Sequence, residues 1–95
     1  MDSEKSIEQY LVKRAKSIGG KAYKFVSPGN AGVPDRIVIF PSGRNVFTEV
    51  KCKTGKLSAL QKNQIGDLKK LKQTTRVVYS KEDVDRLISE FGGVL

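Results

Sequence analysis

The sequence predicts an α/β fold in which helices flank a mixed four-stranded sheet. Three segments repeat apolar residues every three to four positions, as amphipathic helices do, and four short apolar runs between turn residues are typical of strands. Their order is α-β-β-β-α-β-α, so three strands form a meander and a crossover helix delivers the fourth strand. Ninety-five residues make one domain, 1–95, with a modest core.

The first helix begins after Ser3, a capping residue, and ends at Gly19-Gly20. A short strand over residues 21–26 follows, in which we expect Tyr23 to lie in the core. Residues 27–32 form a loop rich in glycine, proline and asparagine. The apolar stripe of the first helix comprises Ile7, Leu11, Ala15 and Ile18.

A β-hairpin is predicted over strands 35–40 and 45–51, joined by the turn 41–43. This turn pairs Phe40 with Arg44, and counting outward places Asp35 opposite Glu49. Because side chains alternate along a strand, Glu49 shares a face with Lys51. The hairpin therefore predicts two carboxylates and one ammonium group on one side of the sheet.

The second half continues with a capping box at Ser58 and Gln61, which opens the second helix. The fourth strand spans residues 76–79, and Ser80 with Asp83 caps the last helix. All apolar residues can be assigned to one core, which leaves no surplus apolar patch. The expected inward side chains are Leu60, Ile65, Leu68 and Leu71 on the second helix, and Val84, Leu87, Ile88 and Phe91 on the last helix, which ends at Gly92-Gly93.

Composition excludes several kinds of chemistry. The chain contains no histidine, so histidine-dependent nucleophilic catalysis and histidine metal sites are excluded. Cys52 is the single cysteine, which excludes an intrachain disulfide and a cysteine zinc site. The sequence shows no membrane-spanning run and no signal-peptide pattern. We therefore expect a soluble cytoplasmic protein that is neither secreted nor bound to a membrane.

The net charge of +8 is concentrated in one segment. Residues 51–76 hold eight basic side chains and one acid, Asp67, a local charge of +7. Such a concentration favours a polyanionic partner. The alternative is a solubilising helix surface. A membrane-surface helix is disfavoured, since no aromatic residues line the apolar face.

The hairpin residues suit metal-assisted chemistry on a phosphate. Magnesium prefers oxygen ligands, usually one or two carboxylates with water and substrate oxygens. Asp35 and Glu49 would supply the carboxylates, and the backbone carbonyl of Val50 a third oxygen. Lys51 would orient a water molecule or neutralise charge on the phosphate. The alternative is structural: Asp35 merely follows a turn, while Glu49 and Lys51 form a solvated strand face.

The motifs and their order resemble the PD-(D/E)XK superfamily, whose core is the αβββαβ restriction endonuclease-like fold. The runs GVPDRI (32–37), TEVK (48–51) and GKLSxxQ (55–61) more narrowly resemble the VRR-NUC family of nuclease domains. The resemblance covers nearly the whole chain and implies a stand-alone, Mg²⁺- or Mn²⁺-dependent nuclease. It gives Asp35, Glu49 and Val50 as metal ligands and Lys51 as the catalytic lysine.

Two further residues match positions of the family. Gln61 corresponds to a glutamine near the active site, although its place in the capping box is an adequate structural explanation. Glu8 corresponds to an acidic residue of the first helix that reaches a metal directly or through water, although an ordinary surface acid would look the same. Arg36 faces away from Asp35 and is expected to be structural.

The resemblance also implies a substrate. Stand-alone VRR-NUC proteins suggest branched DNA such as a four-way junction, in repair or recombination, with a homodimer presenting two sites. A less selective DNA or RNA nuclease and a non-catalytic nucleic-acid-binding module remain as alternatives. No nucleotide cofactor is expected, and the small size would fit a bacterial cell or a virus-infected host. The expected nucleic-acid contacts are Lys24, Lys53, Lys56 and Lys62.

Overall fold

The structure, a computed structural model, describes residues 1–92 and contains three helices and four strands in the predicted order. The predicted α/β class with a mixed four-stranded sheet is confirmed. Gly93, the second residue of the predicted final helix stop, lies outside the described residues. The elements are α1 (Glu4–Ser17), β1 (Lys21–Lys24), β2 (Arg36–Ile39), β3 (Asn45–Val50), α2 (Ala59–Lys70), β4 (Thr75–Val78) and α3 (Lys81–Phe91).

The sheet has the strand order β1-β2-β3-β4. The first two pairings are antiparallel, and β3 pairs with β4 in parallel because α2 carries the chain back across the sheet. In the hairpin, Phe40 N–H donates to the Arg44 carbonyl at 2.8 Å, and Arg36 pairs with Thr48. The predicted hairpin register is therefore confirmed.

The two faces of the sheet are covered differently. Helices α1 and α3 pack on one face of the sheet. The core lies between these helices and the strand residues that point to that face. Helix α2 covers the other face mainly through Ile65, which is 8% exposed. The core residues are Ile7, Leu11, Ala15, Ala22, Val38, Phe40, Val46, Val50, Val78, Val84, Leu87 and Ile88.

Two residues of α2 predicted to face inward do not. Leu60 is 56% exposed and Leu71 is 69% exposed. At 100° per residue, both lie on a flank turned roughly 120 to 140° away from Ile65, so a helix that contacts the sheet along a narrow line cannot bury them. The expectation that no apolar side chain is left over was therefore wrong.

The first strand also differs from its prediction. It ends at Lys24, and Tyr23 is 49% exposed because β1 is an edge strand whose buried side is occupied by Ala22. Phe25 follows the strand and packs edge-on against Phe47, with 5.6 Å between ring centroids. Its N–H donates to the Asp35 carbonyl at 2.9 Å, so the chain remains paired past the end of the strand.

Helix ends follow the predicted caps. The hydroxyl groups of Ser3, Ser58 and Ser80 each accept a backbone N–H of the first helical turn. Helix α1 ends slightly earlier than its apolar stripe suggested, with Ile18 at the C-cap and Gly19 at φ 83°. Within residues 1–92, no helix is both long and apolar enough to cross a membrane.

Candidate active site

Asp35 stands at the start of β2, directly before Arg36. Its Oδ2 accepts the backbone N–H of Val50 at 2.9 Å, which ties the carboxylate to the end of β3. Pro34, which is fully buried, fixes the chain direction immediately before it. The register and this hydrogen bond together place Asp35 beside Glu49, as the hairpin predicts.

Glu49 is the most buried acid described, with 2% of its surface exposed. It lies on the α2 side of β3 because its neighbours Thr48 and Val50 face the core on the other side. Its Oε2 accepts a hydrogen bond from the Gln61 side-chain amide at 3.0 Å and lies 4.0 Å from the Lys51 ammonium nitrogen. Three of the predicted site residues therefore meet at this carboxylate.

The pKa of Glu49 is raised to about 7. Burial is the largest cause, because it disfavours the charged form, and the negative charge of Asp35 adds to it. The ammonium group of Lys51 acts in the opposite direction and offsets only part of the effect. The negative charge of the two carboxyl groups is thus only partly offset by Lys51, and a bound cation would stabilise their ionised forms.

Gln61 contacts both the backbone at the start of α2 and the carboxylate of Glu49, and its role in an active site stays a prediction. Its side-chain oxygen accepts the Ser58 N–H at 2.8 Å and completes the capping box of α2. The amide nitrogen of the same side chain donates to Glu49. The cap therefore fixes the rotamer that orients the buried carboxylate, so the structural and site explanations are not alternatives.

Gly32 is a positioning residue that the motif contained but sequence reasoning did not single out. Its φ is 92°, and a Cβ there would lie 2.6 Å from the carbonyl carbon of Leu60 and 2.9 Å from the Gln61 nitrogen. Only glycine allows the loop before Asp35 to lie directly on the first turn of α2. The signal in the sequence was a glycine three residues before the aspartate.

Glu8 lies apart from the two carboxylates. Its Oε2 accepts a hydrogen bond from Arg36 Nε at 2.7 Å, and Arg36 also donates to the Ala22 carbonyl. Both residues lie on the α1 side of the sheet, so Arg36 faces away from Asp35, as expected. In residues 1–92 no group of three potential metal ligands is formed by histidine, cysteine and acidic side chains. A metal contact by Glu8 would require this ion pair to open, and it stays a prediction.

The predicted nucleic-acid contacts are all solvent-exposed. Lys53 and Lys56 lie in the connector after β3, Lys62 lies in the first turns of α2, and Lys24 ends β1. The connector is tight at Gly55, whose N–H donates to the Cys52 carbonyl at 2.9 Å. Exposure leaves these ammonium groups available, and their roles stay predictions.

The residues present fit a hard divalent cation. Hydrogen bonds of the described side chains use Oδ2 of Asp35 and Oε2 of Glu49, so each carboxylate keeps a second oxygen. Two carboxylates completed by water and substrate oxygens are a typical donor set for magnesium. The raised pKa of Glu49 supports this fit, since a bound cation would remove the repulsion that holds the proton.

Comparison with known proteins finds similarity both in fold and in sequence. A solved structure described as a VRR_NUC domain superposes with a TM-score of 0.84 and 28% sequence identity, covering 95% of this chain and 99% of that one. A protein named "Putative nuclease p44", from Acyrthosiphon pisum secondary endosymbiont phage 1, is 58% identical over 48 residues. That alignment covers 50% of this chain and 52% of the phage protein, about half of its length.

No family model matches the chain. The structural similarity nevertheless extends over almost all of it, and the fold brings Asp35, Glu49, Lys51 and Gln61 together as the motif predicts. The chain therefore has the α/β fold of a VRR_NUC domain, with a mixed four-stranded sheet flanked by helices, and over half of its length it is similar in sequence to a protein named as a nuclease.

Proposed function

We propose that the domain hydrolyses phosphodiester bonds of DNA as an endonuclease that depends on Mg²⁺ or Mn²⁺. The observation that carries this proposal is the meeting of Asp35 and Glu49 at the end of the hairpin, with Lys51 4.0 Å from the Glu49 carboxylate. A nucleic-acid-binding surface gains nothing from two acids beside a phosphate, because the negative charges repel. A hydrolytic metal site requires such a pair.

Each residue would have a distinct task. The free oxygens of Asp35 and Glu49 would hold the cation, with the Val50 carbonyl as a further ligand. A bound cation supplies a more acidic water and stabilises negative charge on the phosphate. Lys51 would hold the attacking water or donate to a phosphate oxygen, and Gln61 would keep Glu49 in its binding rotamer. Glu8 is proposed as a more distant, water-mediated ligand.

Substrate contacts are proposed for the exposed lysines near the site. Lys53 and Lys56 lie within five residues after Lys51, and Lys62 comes directly after Gln61. The backbone of all three is therefore close in sequence to a residue that contacts Glu49. Contacts to phosphates position a strand without reading its bases. The domain would therefore select its substrate by shape, and we propose branched DNA in repair or recombination.

A homodimer would suit such a substrate. Two-fold symmetric subunits present matching sites, which a symmetric four-way junction could use on two strands. The exposed side chains of Leu60 and Leu71 on α2 support the proposal, since the core does not account for them.

The test is a cleavage panel with the full chain. A labelled four-way junction, a linear duplex of the same sequence, a single strand and an RNA duplex would be compared in Mg²⁺, Mn²⁺ and EDTA. We expect cleavage of the junction in either metal, little cleavage of the linear duplex, and none in EDTA.

The other outcomes separate the alternatives. Metal-dependent cleavage of every DNA would retain the site and refute branch selectivity. Cleavage of RNA in preference to DNA would contradict the proposed substrate. Binding without cleavage in any metal would identify a nucleic-acid-binding module.

A further inference from the structure

A second polar site lies at the opposite end of the sheet from the carboxylates. It is a cavity of about 390 Å³, lined by residues 43–45, residues 72–74 and Phe91. Strand β3 connects the two places, since Asn45 lines the cavity and Glu49 lies four residues along. At about 3.4 Å per residue, they are separated by roughly 14 Å.

The lining chemistry fits an oxyanion. Arg44 and Lys72 are its charged residues, and no acid belongs to the lining among the described residues. The Arg44 guanidinium lies 5.9 Å from the centre of the Phe91 ring, a contact that restrains it beside the cavity. An arginine and a lysine that line one cavity without an acid are a combination suited to phosphate recognition.

Lys72 occupies a position where glycine would be expected. It follows the C-cap of α2 with φ 64°, and it is the only non-glycine residue of the described chain with a positive φ. The backbone N–H of Gln73 donates to the Leu68 carbonyl at 2.9 Å, a hydrogen bond that ends helix α2 and holds Lys72 in the left-handed conformation. A lysine here is strained, and the strain is explained if its side chain is needed in the cavity.

A basic flank of α2 connects the two sites. Lys62 and Lys69 are exposed and seven residues apart, so they lie on the same side of the helix. Gly66 lies between them, and a Cβ there would meet nothing within 4 Å. Asp67, the acid of this helix, lies about 140 to 160° around the helix from Lys62 and Lys69. The flank begins one residue after Gln61 and ends three residues before Lys72.

We propose that the cavity binds a backbone phosphate of the same nucleic acid that the carboxylate site cleaves. A separation of roughly 14 Å matches two phosphates of one strand that are about two nucleotides apart, since neighbouring phosphates are about 7 Å apart in space although they rise only about 3.4 Å along the axis. Arg44 and Lys72 then hold a phosphate about two nucleotides from the scissile one, with Lys62 and Lys69 along the path. The inference rests on the proposed function, since it requires a nucleic acid at that site.

Binding without cleavage provides the test. The affinity of the full chain for a fluorescent DNA duplex is measured in EDTA over a series of salt concentrations. Each phosphate that a variant no longer neutralises reduces the slope of log affinity against log salt by about 0.9. Arg44→Gln combined with Lys72→Gly, which removes both cations from the one proposed phosphate, is expected to reduce the slope by about 1 and the affinity at 0.1 M salt about tenfold.

Lys72→Gly separates binding from folding. Glycine relieves the positive φ, so we expect this variant to unfold at a higher temperature than the wild type while it binds DNA more weakly. The matched control is Lys13→Ala with Lys16→Ala, which removes two exposed charges of α1, an element that does not line the cavity. This control is expected to leave the salt slope within about 0.5 of the wild-type value, a tolerance of about half a phosphate contact.

The outcomes are distinguishable from those of the cleavage panel. An unchanged slope in the Arg44/Lys72 variant overturns the inference even if the domain cleaves DNA. An equal loss in the α1 control also overturns it, because only overall charge would then matter. If inorganic phosphate shifts the Arg44 and Lys72 NMR signals but duplex DNA does not, the cavity takes a free anion and the inference fails. A reduced slope in a protein that never cleaves supports the second site and refutes the proposed function.

Discussion

The side-chain amide of Gln61 donates a hydrogen bond to Oε2 of Glu49 at 3.0 Å, while its oxygen caps the helix that carries it. The buried acid is thus oriented by a residue whose conformation is fixed by local backbone geometry. Gln61→Ala removes both interactions, whereas Gln61→Glu can still complete the capping box but cannot donate to Glu49.

We predict that the two Gln61 variants separate stability from activity. Gln61→Ala should lower the free energy of unfolding by about 1 kcal/mol, the usual cost of removing a cap. Gln61→Glu should lower it by less at about pH 5, where Glu49, with a pKa of about 7, is protonated and does not repel the new carboxylate. Both should reduce kcat about 10- to 100-fold, because Glu49 loses its donor. Urea unfolding and cleavage assays on the same preparations provide the measurement. Full activity in Gln61→Glu would show that only the cap matters.

Replacement of Glu49 by glutamine should stabilise the metal-free protein at high pH. The folded-state pKa of about 7 lies above the unfolded value of 4.5, so the folded protein holds a proton that the unfolded chain loses between these values. Wild-type stability therefore falls as pH rises from 4.5 to 7, and the variant has no such loss.

In EDTA at about pH 8, Glu49→Gln should be more stable than the wild type by about 1 to 3 kcal/mol, and at about pH 4.5 by much less. Urea unfolding at the two pH values measures the difference, with the exposed Asp67→Asn as the control for removal of an acid. A variant less stable than the wild type at the higher pH would contradict the burial argument.

Gly32 and Gly29 form a matched pair of loop glycines. Both have positive φ, at 92° and 83°, but a Cβ at Gly29 meets nothing within 4 Å, whereas one at Gly32 collides with the backbone of α2. Gly29→Ala should cost about 1 kcal/mol from conformational strain alone. Gly32→Ala should cost about 2 kcal/mol or more and should also reduce kcat, because the loop that carries Asp35 must move away from Gln61.

Thermal unfolding and cleavage of both variants test this pair. Equal losses of stability with full activity in each would mean that the contact between Gly32 and α2 does not position the site.

The hairpin was the part of the site that could be predicted in detail from the sequence. A three-residue turn fixes register without tertiary information, so the pairing of Phe40 with Arg44 was enough to bring Asp35 beside Glu49. Local capping chemistry likewise predicted the start of α2 at Ser58. These features depend on residues close together in the chain.

The errors arose where distant elements decide the environment. The spacing of apolar residues along α2 predicted that Leu60 and Leu71 face inward, but both are exposed. Sequence spacing does not reveal that α2 contacts the sheet along a narrow line. Tyr23 looked like a core residue because alternation does not reveal that β1 is an edge strand. The ion pair of Glu8 with Arg36 joins residues 28 positions apart and has no local signal.

Cleavage and metal binding, measured together on the same variants, decide whether Asp35, Glu49 and Lys51 form a metal-dependent hydrolytic site. Cleavage of a labelled four-way junction is followed in Mg²⁺ for the wild type and Lys51→Ala, together with Mg²⁺ binding by calorimetry. Lys13→Ala, a charge removed from α1, is the control. We predict that the wild type and the control cleave the junction. The cleavage rate of Lys51→Ala should be lower by at least about 100-fold, which corresponds to about 3 kcal/mol of transition-state stabilisation. This variant should still bind Mg²⁺. Wild-type activity in Lys51→Ala, or cleavage by the wild type in EDTA, would contradict this assignment.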